Sequence, residues 1–416
     1  MDRTRPVILG YDCVSPLGTE MEDQWRRAAA GESGIAGLTR FPLRAGFPVR
    51  IAGEVPEIDV TPYPFLRPRE MAHWTSPVFK HALLVVYRAL ARSGIEISKE
   101  LSPRVAVTFS SAIGGLDALI DADRTLVAAG KLPAPFMNPN SCINMVGGKV
   151  AIATGATGPI SSIVTACATG SSSLILGAMF IAQKMADVAI CGAVDFPLVE
   201  PIVAGFATMN GAYRPKEGEE PPKPSAASCP FSSYRRGFVV SEGAGCIILA
   251  SREFAAAHGL PFMIELAGWG MTADAHHVVA PNPATVKRCM EEAIRHAGID
   301  PAAVDAVNAH AASTKIGDRV EADVLIEVFA GRVPPVSASK SQLGHAMGAS
   351  SAIESIWAME GMRRGVILPT INHRPDPEIP LDCVAEGTRP LDQEFVLKNA
   401  FGFGGCNASL VFRRLA

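Results

Sequence analysis

This 416-residue sequence predicts a layered α/β fold, and three observations carry the prediction. Short runs of β-branched and apolar residues at 105–109, 160–164, 188–191 and 246–250 alternate with stretches of helical periodicity at 79–93, 171–185 and 282–297. Alternation of this kind stacks helices on a sheet. The chain also exceeds the length at which one hydrophobic core stops growing, so two similar lobes or one large layered unit are the available solutions. Finally, a coarse seam falls near residues 253–259, and a strand-like run at 263–267 follows it. Both resulting halves, 1–252 and 253–416, begin with a strand followed by a glycine-containing turn.

Composition narrows the function classes. Apolar residues make up 48% of the chain and charged residues 19%, the proportions of a packed protein. A formal net charge of −3 gives no broad basic field for a polyanion, which argues against nucleic acid as a partner. The start, MDRTRPVILGYDCVSPLG, lacks the long apolar stretch of a signal peptide. The most apolar helix candidate, residues 174–190, contains Gln183, Lys184 and Asp187, which are costly in lipid. A cytoplasmic location and no membrane partner are the expectation. Nine cysteines without CxxC spacing indicate free thiols, neither a disulfide framework nor a zinc site. The adjacent His276 and His277 lack the i, i+4 spacing of helical metal ligands.

Four segments could carry chemistry. In SSIVTACATGSSSLIL a β-branched run ends and a helix-compatible run begins, with Cys167 at the turn. A helix N-terminus offers unpaired N–H groups and a positive dipole end, which favour thiolate, although by itself the same cysteine also reads as a buried, inert thiol. VNAHAAST, residues 307–314, is a strand end running into a small-residue turn, where His310 could exchange a proton near neutral pH. VSASKSQLGHAMGASSAIES, residues 336–355, sets Lys340 and His345 on either side of a turn ahead of a helix that carries Glu354. A lysine beside a thiolate would hold its charge, and two histidines would give two donors for one oxygen. NAFGFGGCNASLVF, residues 399–412, threads glycines between aromatics ahead of a strand, which permits positive φ and a close backbone approach. A phosphate loop would need a following helix, and none is indicated. Between these segments, residues 214–229, rich in proline and charge, read as a surface loop.

In this order, TACATG, GFVVSEGAG, NAHAAST, SKSQLGHAMG and NAFGFGG resemble the β-ketoacyl synthases, most nearly the type II elongating enzymes. The similarity runs from the first strand to SLVF. It implies a thiolase-like five-layered αβαβα duplication, usually a homodimer. It also implies roles. Cys167 matches the nucleophile that takes an acyl group from the phosphopantetheine of an acyl carrier protein, and His310 and His345 match the pair that supports malonyl decarboxylation. Lys340 matches the lysine that sustains the charge arrangement, and Glu354 its structural partner. The amides of Cys167 and Phe403 match the oxyanion hole, and Phe403 the gate. Ile113 matches a position that limits acyl length, and Met137 a dimer-contact position at the end of the acyl tunnel. No metal or organic cofactor is implied.

Departures from the family pattern concern the carrier's arm. Ala312 stands where a pantetheine-contacting hydroxyl is usual, Val279 where a threonine is usual, and Thr314 is retained. Ser232 and Arg236 stand where acidic residues are common near the turn at Glu242. Arg67 and Arg69 could form part of an entrance patch for an acidic carrier, or an ordinary solvated surface. Two other functions compete: a thiolase, with Cys406 as the second cysteine, and a non-catalytic chain-length partner subunit, which would normally lack the nucleophile.

Overall fold

The computed structural model describes residues 5–215 and 223–415. Nine strands form its large sheet: β1 Val7–Val14, β2 Val105–Ser110, β3 Val188–Asp195, β4 Gly243–Ala250, β5 Ile264–Ala273, β6 Ala306–Asn308, β7 Val336–Ser337, β8 Phe395–Gly402 and β9 Cys406–Arg414. Their spatial order is β2-β3-β4-β1-β5-β9-β8-β6-β7. Six helices build the layers: α1 Pro77–Ser93, α2 Asn144–Thr154, α3 Thr169–Ala182, α4 Pro283–Ala297, α5 Lys315–Val328 and α6 Met347–Arg364.

The order contains a repetition. From the centre outward, β1-β4-β3-β2 runs antiparallel, antiparallel, parallel, and β5-β9-β8-β6 does the same. On one side β7 extends β6 in parallel; on the other, Ile160 makes a parallel bridge to Val107 of β2. The run at 160–164, expected to be a strand, stops at that bridge. Ile160 and Val164 are exposed, and a strand with an open edge and no second neighbour has little to hold it.

The two strand sets meet only at Val7 opposite Glu265 and Ile8 opposite Ile264. Both α3 and α6 touch strands of each set, so the sheet folds around them. Helices α1 and α2 cover one outer face and α4, with α5 on it, the other. The result is five layers, αβαβα. Helix composition explains the placement: every residue of α6 from Met347 to Met362 is buried, and a helix buried all round belongs inside. By contrast, α4 buries one stripe (Val286, Met290, Ile294) and shows the rest to solvent. Asn282 caps α4 by accepting from the Ala284 N–H at 3.1 Å, and Gly298 ends it in the left-handed conformation. Apolar clusters fill each interface, such as Phe79 and Leu84 of α1 against Phe109 and Ile190, and Met290 and Leu325 against Leu397 and Val411.

Among the described residues no helix is long and apolar enough to cross a membrane, and all nine cysteines are free. The proposed loop at 214–229 lies partly outside the described residues. Its last residues depart from the expectation, since Ala227, Ser228 and Cys229 are buried and Ser228 Oγ donates to the Lys340 carbonyl at 2.6 Å.

Candidate active site

The nucleophile candidate sits on a strained turn. A 3-10 turn, Ala166–Ala168, leads directly into α3, and Ala166 has φ 49, a left-handed conformation that costs a non-glycine residue about 1–3 kcal/mol. Thr169 holds the turn shut: its Oγ1 donates to the Ala166 carbonyl at 2.7 Å and accepts from the Thr165 N–H at 3.0 Å. Strand β8 lies against it so closely that a Cβ at Gly402 would stand 2.4 Å from the Thr165 carbonyl oxygen and 3.1 Å from the Cys167 nitrogen. Only glycine allows that approach.

The helix N-terminus favours a thiolate, and burial of the turn opposes it. Cys167 is buried, and burial pushes its thiol up to about 11, even though the Lys340 charge and the backbone N–H groups of Phe403 and Cys167 itself pull it down. Desolvation penalises the anion more than these groups reward it. Both of these amides act on the sulfur.

His310 follows β6. Its backbone N–H and that of Ala311 donate to the two oxygens of Glu321 on α5, at 2.8 and 2.7 Å, and its carbonyl accepts from Lys340 Nζ at 2.6 Å. His345 stands opposite, the ring centroids 5.7 Å apart and the planes at 81°. Phe238 packs edge-on against His345, and Phe401 packs at a tilt against His310. His345 Nδ1 lies 3.0 Å from Ser350 Oγ, which also accepts from the Ala346 N–H at 2.8 Å. Burial, then the Lys340 charge, drives both imidazoles well below the ordinary histidine value. Proton exchange near neutral pH, expected from sequence, is therefore not a property of the resting pair; both rings are neutral.

Behind the histidines lies a cluster of buried charge. Glu354 on α6 reaches Lys340 Nζ with Oε1 at 2.6 Å and Lys398 Nζ with Oε2 at 2.9 Å. A carboxylate on an all-buried helix needs such partners. Asp195, at the end of β3, accepts from Ser111 Oγ at 2.6 Å and from the N–H groups of Ile113 at 2.9 Å and Ala349 at 3.1 Å, tying the loop at 111–113 to the start of α6. Burial raises its pKa to about 6.

The glycine-rich segment is a hairpin turn between β8 and β9. Gly404 and Gly405 have φ 81 and 72. The Gly404 N–H donates to the Val278 carbonyl at 2.8 Å, and the Gly405 carbonyl accepts from the Asp274 N–H at 3.0 Å. Phe403 belongs to an apolar cluster with Ile113, Phe206, Phe238 and Met347. Met137 does not. It opens the short helix Met137–Ser141, beside the exposed Phe136, because that segment packs against residues 116–129 and α2 and not against the cluster of Ile113. Thr314, half-buried, precedes α5 and its N–H donates to Asp318 Oδ1 at 3.0 Å. Ala312 is buried and Val279 exposed.

Sequence reasoning singled out Cys167, His310, Lys340, His345, Glu354 and Phe403, and the structure brings these together. It missed Lys398, Glu321 and Asp195. Lys398 and Asp195 are each a lone charge in an apolar run (FVLKNAF, CGAVDFP), and that isolation was the available signal; Glu321 stands between Arg319 and Asp323 in RVEADVL and carried none. Arg67 and Arg69 are exposed and form no ion pair among the described residues. His277 Nδ1 accepts from the N–H groups of Val279 and Ala280, and no cluster of metal-ligating side chains occurs among the described residues. Cys406 pairs across the hairpin with Gly402, and the charge acting on its thiol is Asp274.

Residues 4–255 match the family model for the β-ketoacyl synthase N-terminal domain, and residues 263–374 that for the C-terminal domain. The chain is 35% identical to a 3-oxoacyl-[acyl-carrier-protein] synthase 2 of Coxiella burnetii over 100% of both chains, and 34% identical to one of Vibrio harveyi, again over 100% of both. Among solved structures, a β-ketoacyl synthase from Burkholderia phymatum superposes with a TM-score of 0.91 at 29% identity, covering 99% of this chain and 100% of that one. A ketosynthase in complex with its type II polyketide-synthase acyl carrier protein, AntDE:AntF, gives 0.89 at 27% identity, with 99% of each chain covered. With both domain models matched in order and full-length relatives above 30% identity, the chain belongs to the β-ketoacyl synthase family.

Proposed function

We propose that this chain is a β-ketoacyl-[acyl-carrier-protein] synthase, a condensing acyltransferase of fatty-acid or related polyketide synthesis. The observation that carries the residue assignment is that the backbone N–H groups of Phe403 and Cys167 and the charge of Lys340 all act on one buried sulfur, while the same Lys340 acts on both imidazoles.

In this reading Cys167 Sγ attacks the thioester carbonyl of an acyl group carried on phosphopantetheine. The thiol, protonated at rest, gives its proton to a neutral imidazole, which returns it to the departing pantetheine thiolate. The N–H groups of Cys167 and Phe403 hold the oxyanion. Malonyl thioester then loses CO₂; the electrons of the broken C–C bond become an enolate whose oxygen is held by His310 and His345. The enolate carbon attacks the acyl-Cys167 carbonyl, and the sulfur leaves as a thiolate that takes one proton from solvent to restore the resting thiol. Ser350 already accepts one N–H, and donation of its hydroxyl to His345 Nδ1 leaves Nε2 with the proton that the enolate needs. These groups and one proton from solvent cover every bond change, so we assign no metal or organic cofactor.

Phe403 acts as gate, Ile113 limits the acyl chain, and Thr314 contacts the arm. The division into halves at 252/253 is supported by the repeated strand order. We further propose a homodimer closed by the face around the open edge at 160–164, supported by the exposure of Val127, Leu132, Phe136, Ile152, Ile160 and Val164. Met137 lies on that face and would complete the tunnel of the second copy. Free thiols throughout support the cytoplasm, and the exposed Arg67 and Arg69 support an acidic carrier protein as partner. The chain-length-partner and thiolase readings are not favoured, since full-length relatives are named as synthases. Incubation of the chain with acyl-carrier and malonyl-carrier thioesters is the test. Carrier-dependent release of CO₂ with a β-ketoacyl product is expected; thiolysis of β-ketoacyl-CoA without malonyl dependence would overturn the reading.

A further inference from the structure

Lys340 and Lys398 are both fully buried, and they share one carboxylate. Lys340 Nζ donates to the His310 carbonyl, whereas Lys398 Nζ donates to the Asn399 carbonyl. Side chains alternate along a strand, so Lys398 shares a face of β8 with Ala400 and Gly402, the residue pressed on the Cys167 turn. The next residue, Asn399, donates to Glu321 Oε1 at 3.1 Å, and Glu321 holds the His310 backbone. Lys398 thus connects to both sides of the site. A partner for Glu354 alone does not require it, because Lys340 already supplies one.

We propose that Lys398 is a positioning residue of the condensing site: the second cation on Glu354, which through that shared carboxylate fixes Lys340 against His310 and sets the charge behind the two imidazoles. The proposal rests on the synthase reading above. The charged and titratable groups facing the histidines are Lys340, Glu354 on α6, Glu321 on α5, Lys398 on β8, Cys167 ahead of α3 and, at the end of β3, Asp195. Of Lys340, Glu354 and Lys398 the balance is one net positive charge. The charges of Lys340 and Lys398 both lower the affinity of His310 and His345 for a proton. Losing Lys398 leaves Lys340 and Glu354 neutral in sum, and the imidazole pKa values rise. Losing the Lys398 and Glu354 charges together leaves Lys340 alone, and the original balance returns.

That reversal separates an electrostatic role from simple packing. Lys398→Met and the double variant Lys398→Met with Glu354→Gln are compared with the wild-type full chain by histidine-selective NMR between pH 5 and 9 and by the pH profile of acyl loading onto Cys167. In wild type both His310 and His345 are expected to titrate well below an ordinary histidine. In Lys398→Met at least one is expected to titrate, with the acid limb of loading displaced upward by about one pH unit, roughly a tenfold loss at a pH on that limb and little change at pH 8.5. The double variant is expected to return toward wild type. An unchanged titration and profile in folded Lys398→Met, or a double variant that stays shifted, overturns the proposal. If the single variant does not fold, the double variant decides: a wild-type-like profile supports the role and a displaced one refutes it. The NMR titration needs no substrate, so failure of wild type to load would count against the synthase reading and leave this inference still tested.

Discussion

The half of the sheet built from β1 to β4 and the half built from β5 to β9 share a strand order, yet they present different chemistry at the site. The first contributes a single thiol on a turn held by Thr169, with Asp195 as the nearby charge. The second, with α5 and α6, contributes His310, His345, Lys340, Lys398, Glu321 and Glu354. A repeated scaffold therefore serves two unlike demands. Reactivity at the thiol requires a dry, tight turn into which a backbone can press, and burial there raises its pKa. The two histidines are held neutral by burial first and by nearby positive charge second, and buried charge persists only where it is paired.

This contrast can be broken from either side. The largest effect is expected for Cys167→Ala, which should abolish covalent acyl loading as read by intact-protein mass spectrometry, with the fold unchanged by circular dichroism. On the other side, His310→Ala should still load acyl group but lose condensation by about 10²- to 10⁴-fold, the usual weight of a positioned proton-transfer or donor group; robust condensation by this variant would contradict its role. Glu354→Ala leaves two buried lysines without their carboxylate and should cost about 3–5 kcal/mol in urea unfolding. Gly402→Ala drives a methyl group into the Thr165 carbonyl and should cost about 1–3 kcal/mol, with loading slowed more than global unfolding explains. Last is Ile113→Phe, which narrows the apolar cluster shared with Phe403 and should shift preference toward shorter acyl chains by about 10-fold, measured as loading rates across an acyl series.

Much of this arrangement was legible beforehand. The runs at 105–109, 188–191 and 246–250 became strands because their apolar residues are buried on both faces, and the helix at 79–93 needed only Pro77 at its start to be placed. The run at 160–164 misled because β-propensity is realised only where a neighbour exists. The motif residues were legible through their order along the chain. Their protonation was not, since helix dipole and neighbouring lysine are visible in sequence while desolvation is a property of packing. Lys398 escaped for the same reason: an isolated lysine in a strand reads as an edge or surface residue until the strand is found at the centre of the molecule, facing Glu354.

The central claim is that Cys167 alternates between carrying an acyl chain and releasing it to a carbanion. Peptide-mapping mass spectrometry after exposure to an acyl-carrier thioester, followed by malonyl-carrier thioester, tests it directly. The account predicts the acyl mass on the peptide that contains Cys167, its prevention by prior alkylation of that thiol, and its loss with CO₂ release when malonyl-carrier is added. Acyl transfer to another residue, or condensation that proceeds with Cys167 never modified, would contradict it.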